Sequence, residues 1–353
     1  MIRAPLVLAL LVGAPIGPLA GEEPPAGADP ASSLPPHIRR LTLFGERADF
    51  SPDGRRILFL SKTHGDAYEI EVETGALRLL TGGYPHAGYT RALYLSNGQV
   101  LLSGAPKFDP GNPGWSRTHA ELSVLDPGSG RPPVRLGTEC SEGPAVSRRR
   151  LHIAWTIGHA QYEDRFPEGV TQIREADLVY DGGLPRLANE RVVLDSRQLP
   201  FRCHLETQNF RPPEERELTF STYGYNVSES FRLDLETGKV TNDSRTADLY
   251  EEPEGIFPDG QWTCIETDRE NGMKGAGHQY IDIWKLALDG SGRVERLTEF
   301  TRFPGFKASN PVVSDDGRFM AFQMAKVGDP AGVGRGIFLY DFAKAAGSAR
   351  GGS

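Results

Sequence analysis

Residues 49–61 read "DFSPDGRRILFLS", and residues 310–324 read "NPVVSDDGRFMAFQM". Both run through an apolar residue, a serine, an Asp-Gly turn, an arginine and a stretch of apolar residues. Ser51-Pro52-Asp53-Gly54 has the residues of a tight reversal, so each phrase reads as two short strands joined by a hairpin. Looser copies stand between them: "LYLSNGQVLLSG" at 93–104, "AVSRRRLHIAWT" at 145–156, "NFRPPEERELTFST" at 209–222 and "GIFPDGQWTCIET" at 255–267. That makes six copies, roughly 45 to 60 residues apart, a period typical of propellers and arrays.

Each copy is followed by a variable loop and a third strand, such as "YEIEVETG" from 68 or "DIWKLALDGSG" from 282. A fourth follows, such as "LRLLT" from 77 or "VERLT" from 294. A single four-stranded sheet cannot cover both its faces, whereas sheets set radially around an axis bury each other. The pattern therefore predicts an all-β, six-bladed β-propeller over residues 37–342. No segment sustains a period of 3.6, so almost no helix is expected. The sixth copy lacks its fourth strand. "IRRLTLFG" at 38–45 resembles "VERLTEF" at 294–300, so the amino-terminal strand should complete the last blade and close the ring, hiding its edges.

The phrases "FSPDGRRILFLS", "IFPDGQWTCIE" and "VVSDDGRFMAFQ" resemble the repeats of TolB-type β-propellers, over about residues 38–342. The resemblance implies the fold. It covers exported binding proteins, the propeller domains of prolyl-oligopeptidase-like peptidases, and oligogalacturonate lyases. The amino-terminal α/β domain of TolB has no counterpart before the first repeat. A peptidase reading fails for want of a G-x-S-x-G nucleophile elbow.

The chain of 353 residues has 41 Gly, 27 Pro and a net charge of −8, with no basic stripe. It is too turn-rich for a helical bundle, and nucleic acid is not an expected partner. Arg3, the apolar run Ala4–Gly17 and small residues near Ala20 read as a signal peptide over 1–20. Export to the periplasm or outside the cell is expected, with a disordered linker over 21–36, a disordered tail over 343–353 and no transmembrane segment in the mature, monomeric chain. Three cysteines do not make a disulfide framework. Cys264 reads as a buried thiol, and pairing of Cys140 with Cys203 stays open.

In a propeller the innermost strands line the central channel. The residues just ahead of each phrase are Arg47, Arg91, Glu142, Glu206 with Gln208 and Asn209, Glu254, and Lys307 with Asn310. With Asp268 and Glu270 from a long loop, they are the candidate ligand site. Converging carboxylates repel unless a cation, a basic side chain or sugar hydroxyls intervene. The cofactor this set admits is a divalent cation, Ca²⁺ or Mn²⁺. "CHLETQNF" at 203–210 alternates His204, Glu206 and Gln208, and the lyase resemblance makes these the metal-ligand candidates. A catalytic reading would pair His159 with Tyr162 as acid and base, with Arg165 neutralising a uronate. The long loops 104–119, 158–172, 268–280 and 325–336 should crowd one face beside the mouth. The expected role is a binding module for a protein or carbohydrate ligand. The alternative is a polysaccharide lyase, and a third is an envelope scaffold.

Overall fold

The computed structural model describes residues 24, 27–141, 143–269, 277–330 and 332–350. The signal-peptide reading, most of 21–26, Glu142 and Glu270 lie outside the described residues. Strand β1 (Ile38–Arg40) opens the ring. Blade one is β2 (Glu46–Phe50), β3 (Arg56–Leu60), β4 (Ala67–Glu71) and β5 (Leu77–Leu79). Blade two is β6 (Arg91–Tyr94), β7 (Val100–Gly104), β8 (Ala120–Leu125) and β9 (Val134–Cys140), with a short helix α1 (Pro113–Thr118) ahead of β8. Blade three is β10 (Ala145–Val146), β11 (His152–Gly158), β12 (Thr171–Asp181) and β13 (Leu184–Asp195). Blade four is β14 (His204–Phe210), β15 (Glu217–Tyr223), β16 (Ser228–Asp234) and β17 (Val240–Asn242). Blade five is β18 (Glu251–Ile256), β19 (Trp262–Thr267), β20 (Asp282–Ala287) and β21 (Val294–Arg296). Blade six has β22 (Phe306–Val313), β23 (Phe319–Lys326) and β24 (Ile337–Asp341). Its fourth strand is β1, antiparallel to β24 with Ile38 opposite Tyr340 and Arg40 opposite Phe338.

The two opening phrases fold into the same turn, atom for atom. Ser51 Oγ accepts from the Arg56 amide at 3.0 Å and donates to Asp53 Oδ1 at 2.6 Å. Ser314 Oγ accepts from the Phe319 amide at 2.9 Å and donates to Asp316 Oδ1 at 2.6 Å. Gly54 and Gly317 take φ of +67° and +69°, where a side chain would be strained. The serine, the acid and the glycine are thus each required by the reversal, which is why the phrase recurs. The blades that carry these two turns are neighbours, β2 lying against β22.

The second strands are buried on both faces because each sheet is covered on both sides. In β3, Phe59 packs toward blade six with Ile337 and Leu339, while Leu58 and Leu60 pack toward blade two with Tyr94 and Leu102. The core is thus a set of layers between blades, and each interface needs its neighbour. Closure extends past β1: the Leu41 amide donates to the Ile337 carbonyl at 2.8 Å, and Thr42 Oγ1 accepts from the Ile337 amide at 2.9 Å.

Two expectations need correction. The tail forms a helix, α2 (Phe342–Arg350), where disorder was expected. Its alanines favour helix, the Lys344 amide donates to Asp341 Oδ1, and Phe342 packs on Phe257 and Tyr340. The later part of the supposed linker is also ordered. Asp29 caps a 3-10 turn over Pro30–Ser32, and Ala31 and Leu34 pack on the core between blades five and six. All three cysteines are buried thiols outside any disulfide, so Cys140 and Cys203 do not pair.

Candidate functional site

Four inner strands carry a β-bulge at the same height. The register slips between Glu46 and Asp49, Thr207 and Asn209, Pro253 and Gly255, and Ser309 and Val312. The extra residues are Arg47, Gln208, Glu254 and Asn310. A bulge re-aims a side chain and sharpens the local twist. Arg47 and Asn310 take φ of +55° and +49° to do so. All four line the channel.

The starts of the inner strands and the long loops share one face, the loop face. Its mouth encloses about 490 Å³. Five of the six blades supply its walls, through Glu46 and Arg47, Arg91 and Arg117, Glu206 and Tyr223, Glu252 and Glu266, and Lys307 with Gln323. At the waist below, Arg91 Nη2 lies 3.4 Å from Glu254 Oε1 and 4.0 Å from Glu206 Oε1. Asn310 Nδ2 donates to the same Glu254 oxygen at 2.8 Å.

Charge is unevenly divided across this mouth. Arg47, Arg91, Arg117 and Lys307 come from blades one, two and six, together with the acids Glu46 and Asp329, whereas blades four and five supply only acids, Glu206, Glu252, Glu254 and Glu266. Glu252 and Glu266 stand directly opposite each other on β18 and β19, a destabilising placement for like charges. Burial raises the Glu252 carboxyl to about 7, with Glu254 adding to the rise. Burial also pushes Glu266 well up, with Glu252 and Glu254 as further causes. The Tyr250 hydroxyl donates to Glu252 Oε2, and Gln208 Nε2 donates to its Oε1 at 3.1 Å. Burial pulls the Lys307 ammonium down, while Glu266 and Glu252 act against this. Lys307 Nζ donates to the His278 carbonyl at 2.6 Å. The set offers a carboxyl poised near neutrality beside Tyr250, both buried, with the half-buried Tyr223 and Lys307 next to them.

The other predicted residues fall elsewhere. Asn209 lies on the far side of the waist, its Nδ2 donating to the Glu254 carbonyl at 3.0 Å. Asp268 is fully buried and accepts from the Tyr250 amide at 3.0 Å, so it holds Tyr250 in place. His204, Glu206 and Gln208 do not act as one face: His204 is exposed, while the other two are buried. Among the described residues no three His, Cys, Asp or Glu side chains are grouped to hold a metal ion. His159, Tyr162 and Arg165 serve their own loop. His159 Nδ1 bonds the Phe166 carbonyl at 2.7 Å, the Tyr162 hydroxyl accepts from the Glu139 amide at 3.1 Å, and Arg165 covers the Tyr162 ring. None of the three lines the mouth. The loops of blades two, five and six do reach it, through Arg117, His278 and residues 326–330 with Gly332 and Val333.

No protein-family model matches the chain, and no curated relative matches it. Among solved structures it is similar to a gluconolactonase from Xanthomonas campestris, at 12% identity and a TM-score of 0.55, covering 86% of this chain and 88% of that one. It is similar to an oligogalacturonate lyase from Vibrio parahaemolyticus at 12% identity and a TM-score of 0.51, covering 84% and 80%. TolB from Acinetobacter baumannii is 16% identical with a TM-score of 0.44, covering 81% and 67%. At these identities the likeness is one of fold.

Proposed function

We propose that the protein is an exported binding module whose ligand enters the loop-face mouth of the channel. The observation that carries this reading is the buried, charge-divided wall. A channel needed only for architecture would be cheaper to fill with apolar side chains than with opposed carboxylates. Perturbed ionisable groups gathered in a cleft mark functional sites. A wall that sets a mixed, mainly basic side against a purely acidic one suits a polar ligand bearing both hydroxyls and charge, such as an acidic or amino sugar, or the tip of a polar peptide. The apolar leader after Arg3 supports export. No helix among the described residues is long and apolar enough to cross a membrane.

One observation favours a second reading, a polysaccharide lyase. Glu252, poised near 7 beside Tyr250 and Lys307, is a set able to move a proton. The two readings separate in one experiment. The purified protein is screened against acidic and amino oligosaccharides and polar peptides, with and without Ca²⁺ or Mn²⁺, following melting temperature and the absorbance of unsaturated products. A thermal shift without product supports the binding module. Unsaturated product overturns it in favour of the lyase, and silence from every class overturns both.

A further inference from the structure

At the opposite, turn face the channel changes chemistry. Ala48, Leu93, Val146, Phe210, Ile256 and Val312, one from each blade, ring a second cavity of about 480 Å³. All except Phe210 are only partly buried, although they stand on the innermost strands. An apolar wall that faces open space forgoes its contacts and its burial.

Across this collar lies Arg148, from the inner turn of blade three. Its guanidinium pairs with Asp49 of blade one, and its Nε lies 3.5 Å from Asp315 of blade six. Its Nη1 also donates to the Phe50 carbonyl at 3.3 Å. The matching turn position holds Pro52, Pro258 and Asp315 in blades one, five and six, so only blade three sends a cation over the axis among these. Asp49 is enclosed and also accepts from the Tyr94 amide at 2.6 Å, whereas the Asp315 side chain is 31% exposed. The cavity wall holds Asp49, Glu214, Glu215, Glu254 and Asp315 against Arg91, Arg148 and Arg149, five carboxylates to three guanidiniums. The surplus is negative and the collar is apolar.

We propose that this cavity is a second binding site, divided from the loop-face mouth by the waist of Arg91, Glu254 and Asn310, and that it takes an apolar group ending in a positively charged amine. The apolar body fills the collar, and the ammonium meets Asp315 at the rim. Arg148 stays anchored by Asp49, its enclosed partner. A carboxylate in place of the amine would face the surplus of negative charge.

The test uses three probes of one shape: 4-phenylbutylamine, 4-phenylbutanol and 4-phenylbutyrate, titrated into the full chain and followed by ligand-observed NMR. The amine should bind with a Kd on the order of 10⁻⁴ M. The alcohol should bind more weakly, and the carboxylate at least tenfold more weakly. Asp315→Asn, which keeps the shape, should weaken the amine at least fivefold and leave the alcohol within twofold. Ile256→Trp, which fills the collar, should abolish all binding. Equal or tighter binding of the carboxylate overturns the proposal. So does amine binding that Asp315→Asn leaves unchanged, or no binding of any probe to the unmodified protein.

Discussion

Replacing Glu252 by Gln should stabilise the protein at neutral and alkaline pH and leave it unchanged in acid. Glu252 is buried opposite Glu266, and burial raises its carboxyl from 4.5 to about 7. A raised carboxyl is a stability cost whose window follows from proton binding. Below 4.5 the folded and unfolded chains are both protonated, and the group costs nothing. Between 4.5 and about 7 the unfolded chain has released its proton while the folded chain holds it, so stability falls as pH rises. Above about 7 the full penalty, about 3 kcal/mol, is in place. Glutamine keeps the local bonding: its carbonyl still accepts from Gln208, and its amide donates to the Tyr250 oxygen. For a chain of this size the gain corresponds to a rise in Tm of about 5 °C at pH 8. Melting curves of both proteins from pH 4 to 9 check it. The two should coincide near pH 4 and diverge through pH 5–7. A constant offset at every pH, or a variant less stable at pH 8, would refute the buried like-charge account.

Three further outcomes follow from the fold. Deleting residues 38–45 removes the strand that closes blade six and should prevent cooperative folding, whereas deleting 1–26 should leave the melting temperature unchanged; circular dichroism melts of both distinguish them. Arg148→Met strips the enclosed Asp49 of its counter-ion and should cost about 3–5 kcal/mol, read by urea denaturation. The three thiols are buried, and burial raises Cys203 to about 11, so a disulfide reagent at pH 8 should label none in the folded protein and three in denaturant.

The architecture was legible because every blade needs the same reversal, and Ser, Asp and Gly each perform a separate task in it. The bulge residues Arg47, Gln208, Glu254 and Asn310 were legible for the same reason, since they stand three or four residues ahead of that turn. Glu266 and Tyr223 were not. They sit toward the far ends of β19 and β15, second strands in which polar residues recur, so polarity alone does not mark the one aimed at the axis. The acid one residue before the end of "WTCIET" is the signal. Arg117 and His278 arrive on loops without period. The loop 158–172 held the opposite lesson: its aromatic and charged residues suggested a site, but Tyr162 accepts from the Glu139 amide and Gln161 donates to the Thr118 carbonyl, tying it to blade two. The metal reading of 203–210 assumed strict alternation, which the bulge at Gln208 breaks.

The central claim is that ligand enters the loop-face mouth and meets its divided charge. The most direct measurement is isothermal titration of the tightest screened ligand into the unmodified protein and into Lys307→Met. Lys307 is the basic group set against Glu266 and Glu252, so its loss should weaken binding about tenfold, or about 1.4 kcal/mol, with folding retained. An affinity unchanged in Lys307→Met would place the ligand elsewhere and contradict the claim.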